Sequence, residues 1–311
     1  MGIPHLNRFL TKHCSTQSIC KKHLQSFSGK TIAIDTSIYL YKFSTNGALM
    51  ENMYSLVSLF RHYKMTPIFI FDGKPPDEKM DLLKRRQADK HVAEQKYNEM
   101  KKLLECSSTE DKCELSAELD VLKKQFIRIK REDIERVKTL FDSLGVMHCD
   151  APGEADHMCA KMVINNQAWA CLSDDMDMFV YGCTRVMRHI SLMNHTVVFY
   201  NTTGILRELK MPMNHFREVM VLSGTDYKNQ HKADLHTTMQ YYRQFQDEQQ
   251  NGILFNEWLR NRPEYAIDYE SFDKINNMFY ITDVTQVCMK QPVRNLENMR
   301  AVLKPHGFIF A

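Results

Sequence analysis

The sequence predicts an α/β fold with a mostly parallel central sheet flanked by helices. Three observations lead there. Lys30–Ile34, Pro67–Phe71 and Ala168–Leu172 are short, nearly continuous apolar runs, as expected of strands buried on both faces of a parallel sheet. Stretches with helical periodicity separate them, which fits parallel strands joined by helical crossovers. Each run also finishes at acidic residues: Asp35, Asp72 and the segment S-D-D-M-D-M at 173–178. One such aspartate is an ordinary cap or turn former. Three strands ending alike point to a shared site, because ligands of open parallel sheets bind at the carboxyl ends of the strands.

In chain order, Met1-Gly2 resembles a myristoylation start only until position 6, where Leu6 stands in place of Ser or Thr; removal of Met1 is still expected. The first two strand runs are followed by a long charged stretch from Asp77 to about Leu140, read as a helical hairpin broken near 106–110. It carries two basic clusters, Lys79, Lys84, Arg85, Arg86 and Lys90, then Lys123, Lys124, Arg128, Lys130 and Arg131. Lys79 and Arg86 are seven apart, hence on one helical face, an arrangement suited to phosphate beside an acidic cleft. Pro152 is placed to open a helix in A-P-G-E-A-D-H-M-C-A-K-M-V. After the third run, Thr196–Tyr200 reads as a fourth strand, and an apolar helical run from about Phe216 ends at Asp226. Residues 1–235 are expected to form the core, with 77–140 projecting from it, and 236–311 a helical extension packed on it.

Composition bounds the partners only loosely. With 311 residues, 43% hydrophobic and 25% charged, the chain reads as globular, and a net charge of +3 neither demands nor excludes nucleic acid. No apolar stretch approaches the roughly 18 residues that span a bilayer. Nine cysteines with no C-x-x-C pair predict reduced, mostly buried thiols in an intracellular compartment, nuclear or cytoplasmic; so compact a chain would also suit a viral replication site.

Seven carboxylates carry the chemistry: Asp35, Asp72, Glu154, Asp156, Asp175, Asp177 and Asp226, from five places in the chain. A set so poor in neighbouring histidine and cysteine suits hard cations such as Mg²⁺ or Mn²⁺. Two such ions can clamp a phosphodiester, with Lys79 and Arg86 orienting the phosphate. A calcium site or a purely structural acidic cluster fits the same residues. Within S-D-D-M-D-M, an extended chain alternates its side chains, so Asp175 and Asp177 are expected on one side and Asp174 on the other, facing solvent or capping. His157, Tyr39, Phe43 and the methionines at 211 and 213 are expected to pack rather than ligate.

The motifs M-G-I at 1–3, I-A-I-D-T-S-I-Y-L-Y-K-F at 32–43, F-I-F-D-G-K-P-P at 69–76, A-P-G-E-A-D at 151–156, L-S-D-D-M-D-M-F-V-Y-G at 172–182, V-M-R-H-I at 186–190 and V-L-S-G-T-D-Y at 221–227 stand together in this order. In them the chain resembles a flap endonuclease of the XPG structure-specific 5′-nuclease family, from Met1 to about residue 230. The resemblance implies a PIN-like nuclease core and two Mg²⁺ ions, with Mn²⁺ substituting. Asp35, Asp72, Glu154 and Asp156 fall at one metal group, and Asp175, Asp177 and Asp226 at the other. It further implies that Lys79 and Arg86 contact the scissile phosphate, that Tyr41 stacks on a base, and that Gly2 lies near the site. The segment 77–140 matches the helical gateway and arch of that family. Lys84, Arg85, Arg128, Lys130, Arg131 and Lys228 are the further nucleic-acid contacts expected.

The sequence also departs from the family. Asp156 stands where the family has glutamate, so it is expected to reach metal only through water. The segment between Asp35 and Asp72 is short, which trims the wedge between two duplexes. After Asp226 the glycine-bearing helix–hairpin–helix is replaced by a glycine-free segment, with Lys228, His231 and Lys232 as electrostatic substitutes. No sliding-clamp peptide is recognisable. The expectation is therefore a monomeric nuclease acting on DNA with single-strand to duplex junctions. A 5′-exonuclease, an RNA nuclease and a catalytically silent nucleic-acid-binding scaffold on the same fold are the alternatives.

Overall fold

In the computed structural model all residues are described except 1, 46, 107–110, 228–232, 249–252, 266, 284, 288, 290, 291 and 311. Lys228, His231 and Lys232, and the expected break in the charged hairpin at 107–110, lie outside the described residues.

Seven strands form one sheet: β1 (Ile19–His23), β2 (Thr31–Asp35), β3 (Thr66–Phe71), β4 (Met147–Asp150), β5 (Ala170–Leu172), β6 (Arg185–Ser191) and β7 (Thr196–Asn201). Their spatial order is β1-β7-β6-β5-β2-β3-β4. From β6 to β4 every pairing is parallel, while β7 pairs antiparallel with both β6 and β1. The fold class is therefore as the sequence predicts, although three strands escape the sequence reading. β1 is polar and edge-exposed, β4 is only four residues long, and β6 carries the buried Arg188 among its apolar residues.

The helices follow in chain order as α1 (Leu6–His13), α2 (Thr36–Thr45), α3 (Leu49–His62), α4 (Met80–Cys106) and α5 (Asp111–Gln125). Next come α6 (Arg131–Leu144), α7 (Ala155–Ile164), α8 (Asp177–Val180), α9 (Thr202–Glu208) and α10 (Met213–Leu222). The last four are α11 (Leu235–Asp247), α12 (Phe255–Arg260), α13 (Tyr269–Met278) and α14 (Leu296–Leu303). The charged stretch thus holds three helices, because a second break at 126–130 separates α5 from α6. The helix expected from Pro152 opens three residues later, at Ala155. Among the described residues no helix is long and apolar enough to cross a membrane.

Alternation along the strands builds a core on each face of the sheet. Ala33, Ile68, Ile70, Cys171 and Val186 join one apolar cluster, with Phe216, Phe255, Trp258 and Phe279 from the helices behind. Ile32, Ile34, Phe69, Phe71 and Leu172 join the other, under α3, α6 and α14. Phe141 of α6 stacks on Phe69 at 4.0 Å between ring centroids, the tightest aromatic contact of that layer. Tyr39 and Phe43 are buried here as expected, and Met211 is buried in the other layer. Among the described residues, Cys14, Cys20, Cys149, Cys159, Cys171 and Cys183 are free thiols, the last three buried.

Burial of the α10–α12 contact carries one charged exception. Glu218 is 3% exposed and its Oε2 has no hydrogen-bond partner. Burial pushes its carboxyl up to about 7, against the amide of Asn256 and the charge of Arg217, which pull it down. The neutral acid is favoured in the fold, so its contribution is intact below pH 4 and is lost as pH rises to about 7. Glu218→Gln should therefore raise the melting temperature at pH 8, by up to about 3 kcal/mol of stability, and leave it unchanged at pH 4. Equal effects at both pH values in thermal melts would show that the carboxyl is solvated.

Candidate metal centre and phosphate cleft

Parallel pairing fixes where the acidic residues collect. Asp35 ends β2 beside Ile70 of β3, and Ile34 pairs with Leu172 of β5, so the three carboxyl termini lie side by side. Asp72 follows β3 directly. Its loop closes onto the loop before α7: Gly73 N donates to Gly153 O at 2.7 Å, and a Cβ on Gly73 would collide with the carbonyl of Ala151. Only glycine permits that approach. Asp72 Oδ1 then accepts from Ala155 N at 2.8 Å, satisfying one of the open amides at the start of α7. Glu154 is the N-cap of this helix and Asp156 its second residue, so the first turn presents both, as their spacing of two requires.

The chain after β5 is not extended. It bends at Asp174 and enters α8 at Asp177. The alternation expected for S-D-D-M-D-M is therefore not the reason why Asp175 and Asp177 face together. Asp175 N donates to Ser173 Oγ, and Asp177 N to Asp175 Oδ1, both at 3.1 Å, which winds the two carboxylates to one side. Asp174 turns away, but it neither faces solvent freely nor caps a helix. Its Oδ1 accepts from His189 N at 2.7 Å.

One tight group results. Asp156, Asp175 and Asp177, all buried, offer oxygens within 4.8 Å of one another. Asp177 is fully buried and both its carboxylate oxygens lack a partner. Asp156, one methylene short of the family pattern, thus reaches the cluster itself. Asp35 lies beside it, its Oδ2 accepting from Ser173 Oγ at 3.0 Å. Glu154 and Asp226 are drawn to cations instead. Lys79 Nζ donates to Glu154 Oε1, Tyr227 OH donates to Oε2 at 2.9 Å, and Arg86 Nη2 pairs with Asp226 at 2.8 Å.

Electrostatics follow from this crowding. Burial, then the charges of Asp72, Asp156 and Asp175, hold the Asp35 carboxyl well above its usual range. Burial and Glu154 raise Asp156 to about 8, with Lys79 opposing. Asp177 is raised by burial and then by Asp175, Asp156 and Asp226. Burial works against the charge of Lys79, but Glu154 and Asp156 outweigh it and keep the ammonium protonated. Without a counter-ion, each raised carboxyl stabilises the fold fully below about pH 4 and loses that contribution as pH climbs through its folded value. In EDTA the protein should melt about 5 °C or more lower at pH 8 than at pH 5, and Mn²⁺ should reverse the loss. A melting temperature flat in pH without metal would contradict the crowding.

These groups open into a cavity of about 640 Å³ whose lining also includes Tyr41, Lys79, Arg86 and Lys90. Tyr41 is 45% exposed, and Lys90 Nζ sits 4.7 Å from its ring centroid. Lys79 lies in a 3₁₀ turn (Asp77–Lys79) that leads into α4, not on the helix that carries Arg86, yet both face the cavity. Gly2 backs onto the carboxylates with φ +75°, and any Cβ there would strike Asp175 and Asp177.

The model of the XPG N-terminal domain matches residues 1–93 and that of the XPG I-region matches residues 145–226, together more than half of the chain. The chain belongs to the XPG family. Flap endonuclease 1 of Leishmania braziliensis is 29% identical over 249 residues, covering 73% of this chain and 60% of the relative. That of Zea mays is 28% identical over 246 residues, covering 73% and 62%. This XPG-family chain thus spans about 60% of the length of those relatives. Its fold is shared with the catalytic core of Rad2 in complex with DNA substrate, at a TM-score of 0.64 and 18% identity, covering 98% and 94% of the two chains. It is shared also with human GEN1 in complex with Holliday junction DNA (0.65, 17%, 99% and 74%) and with flap endonuclease-1 from Methanococcus jannaschii (0.59, 21%, 93% and 90%).

In this family member the expected site residues separate into groups. The seven carboxylates, Lys79, Arg86, Tyr41 and Gly2 converge on one cleft. Lys84 and Arg85 are exposed on α4 and do not line it. Arg128 pairs with Glu94 at 2.8 Å beside a second cavity of about 490 Å³, while Lys130 and Arg131 sit exposed at the start of α6. Sequence reasoning missed Ser173 and Tyr227, which touch Asp35 and Glu154. Their only sequence signal is adjacency to acidic residues, Ser173 before Asp174 and Tyr227 after Asp226. His157 packs edge-on against Tyr181 at 5.5 Å, as a packed histidine should.

Proposed function

We propose that the chain is a metal-dependent nuclease that hydrolyses phosphodiesters of DNA at 5′ flaps or junctions. The observation that carries this reading is the Asp156–Asp175–Asp177 cluster, with the bare oxygens of Asp177, at the floor of a cleft walled by Lys79, Arg86 and Tyr41. Bare, buried, all-oxygen donors fit a hard divalent cation, and a solvated structural cluster would leave no such atoms. Asp156, Asp175 and Asp177 would hold metal directly, with Asp35, Asp72, Glu154 and Asp226 around them. Two Mg²⁺ ions, or Mn²⁺, would supply an activated water and neutralise charge on the leaving oxygen.

The chain's own residues supply the rest. Arg86 and Lys79 orient the phosphate, and their ion pairs with Asp226 and Glu154 hold both cations in place before substrate arrives. Tyr41 stacks on a base, its ring exposed for that purpose. Lys84, Arg85, Arg128, Lys130 and Arg131 contribute longer-range attraction to the DNA backbone, and Lys228 is kept as the contact the sequence suggests. The reading treats 1–235, with its arch at 77–140, as the nuclease core, 236–311 as a packed extension, and the protein as a monomer.

A second reading, cleavage of plain 5′ ends or of RNA, is favoured by one feature. Only residues 46–48 separate α2 from α3, which leaves little to wedge between two duplexes. Labelled 5′-flap, nicked, blunt-duplex and RNA substrates with Mg²⁺ should separate the two. Flap cleavage that is absent in EDTA, lost in Asp175→Ala and weaker as salt rises is expected. Equal inertness of wild type and Asp175→Ala with both Mg²⁺ and Mn²⁺ would leave only a binding role.

A further inference from the structure

Behind the acidic bend lies a buried cation that does not line the cleft. Arg188, on β6, is 5% exposed. Its Nη2 donates to the backbone carbonyl of Asp174 at 2.7 Å, and its Nη1 to Asn7 Oδ1 of α1 at 2.9 Å. Asn7 Oδ1 also accepts from Tyr200 OH at 2.8 Å, and the guanidinium lies 5.6 Å from the Tyr200 ring centroid. Arg188 Nε has no partner, so the fold retains a buried donor unsatisfied to keep this fork in place.

The two ends of the fork hold the two backbones that must be in register for the site. One is the bend, where Asp174 turns the chain so that Asp175 and Asp177 face together. The other is the N-terminal segment, which is docked by the buried Ile3, Leu6 and Leu10 and lays Gly2 directly on those carboxylates. A lysine has one nitrogen where the arginine places two, Nη1 on Asn7 and Nη2 on Asp174, in one rigid plane, so it would hold the two ends less firmly. A mere structural arginine would need no such bridge, since β6 already holds the Asp174 side chain through His189 N.

We propose that Arg188 is a positioning residue. By fixing the bend against the N-terminal segment it sets the divalent-cation affinity of the Asp156–Asp175–Asp177 cluster, although it contacts neither that cluster nor DNA. This rests on the metal reading given above.

The test is calorimetric titration of DNA-free protein with Mn²⁺ alone, alongside melting temperature in EDTA. Arg188→Met should bind Mn²⁺ at least tenfold more weakly, and Arg188→Lys should recover part of the loss. Asn7→Leu, which frees the N-terminal end of the fork, should weaken Mn²⁺ binding in a way that is not additive with Arg188→Met. Tyr200→Phe removes the hydroxyl that meets Asn7 Oδ1 and Arg188 but leaves both acceptors of the fork, so it should lose much less Mn²⁺ affinity than Arg188→Met even if it melts lower. In cleavage, Arg188→Lys should need more Mg²⁺ for half-maximal rate while its KM for DNA at saturating Mg²⁺ is unchanged. Arg188 variants that bind Mn²⁺ normally, or a Tyr200→Phe variant that loses as much affinity as Arg188→Met, would overturn the proposal. If Arg188→Met does not fold, Arg188→Lys and Asn7→Leu decide it by the same titration. No Mn²⁺ binding by wild type would instead overturn the metal reading itself.

Discussion

Asp177→Asn is expected to raise the melting temperature of the metal-free protein and to lower Mg²⁺-dependent cleavage by about 10²–10³-fold or more. The two effects have one cause. Asp177 is fully buried, both its oxygens are bare, and its charge is opposed by Asp175, Asp156 and Asp226, with Lys79 as the compensating cation named beside it. Such a group costs stability when nothing neutralises it. Asparagine keeps the shape, removes the charge and adds two donors for neighbouring carboxylates. The stabilisation that Mn²⁺ gives to wild type should shrink in the variant, because a ligand that binds only the folded state stabilises it in proportion to its affinity. Melts with and without Mn²⁺, paired with cleavage of a labelled 5′ flap, check all three effects. A variant that melts lower in EDTA yet cleaves normally would make Asp177 a structural acid.

That prediction could be made in outline from the sequence, but not for the right reason. S-D-D-M-D-M announces a charge problem at the end of a strand, and three strands ending at aspartate announce a shared edge. The period-two argument for Asp175 and Asp177 nevertheless fails, because the chain bends. What turns both inward is Ser173 Oγ beneath the bend and Arg188 behind it, contacts that depend on β6 and α1. β6 gives no apolar run to read, because Arg185, Arg188, His189 and Ser191 interrupt Val186, Met187 and Ile190, although Arg188 is buried with them. The division of labour among the carboxylates was equally out of reach. Glu154 is tied to Lys79 and Tyr227, 75 and 73 residues away in sequence, while the shorter Asp156 enters the cluster. Residue type and spacing pick out the set of acids; partners distant in sequence decide which of them turn their oxygens into the cluster.

Lys79 carries the second large effect, and its sign pattern differs. Lys79→Ala should lower kcat by about 10²–10³-fold, with KM for DNA changed much less, because in the proposed mechanism the cation acts on the reacting phosphate rather than on the long contact surface. Its effect on the metal centre should run the opposite way. The ammonium is buried against Glu154, with Asp156 and Asp177 contributing to its charge, so it competes electrostatically with any cation entering the cluster. Removing it should leave Mn²⁺ affinity in DNA-free protein equal or higher, even as cleavage collapses. In EDTA the cost in stability should be about 3–5 kcal/mol, because the buried carboxylates lose their cation, and it should shrink once Mn²⁺ is bound. Glu154 keeps its bond from Tyr227 OH, and losing the attraction of one positive charge is offset where Mn²⁺ binds. Lys79→Arg retains the charge but spreads it over a planar fork, and should recover cleavage only in part. Titration with Mn²⁺ alongside single-turnover cleavage separates these readings. If Lys79→Ala lost Mn²⁺ affinity in proportion to its rate, the lysine would act through the carboxylates and not on the phosphate.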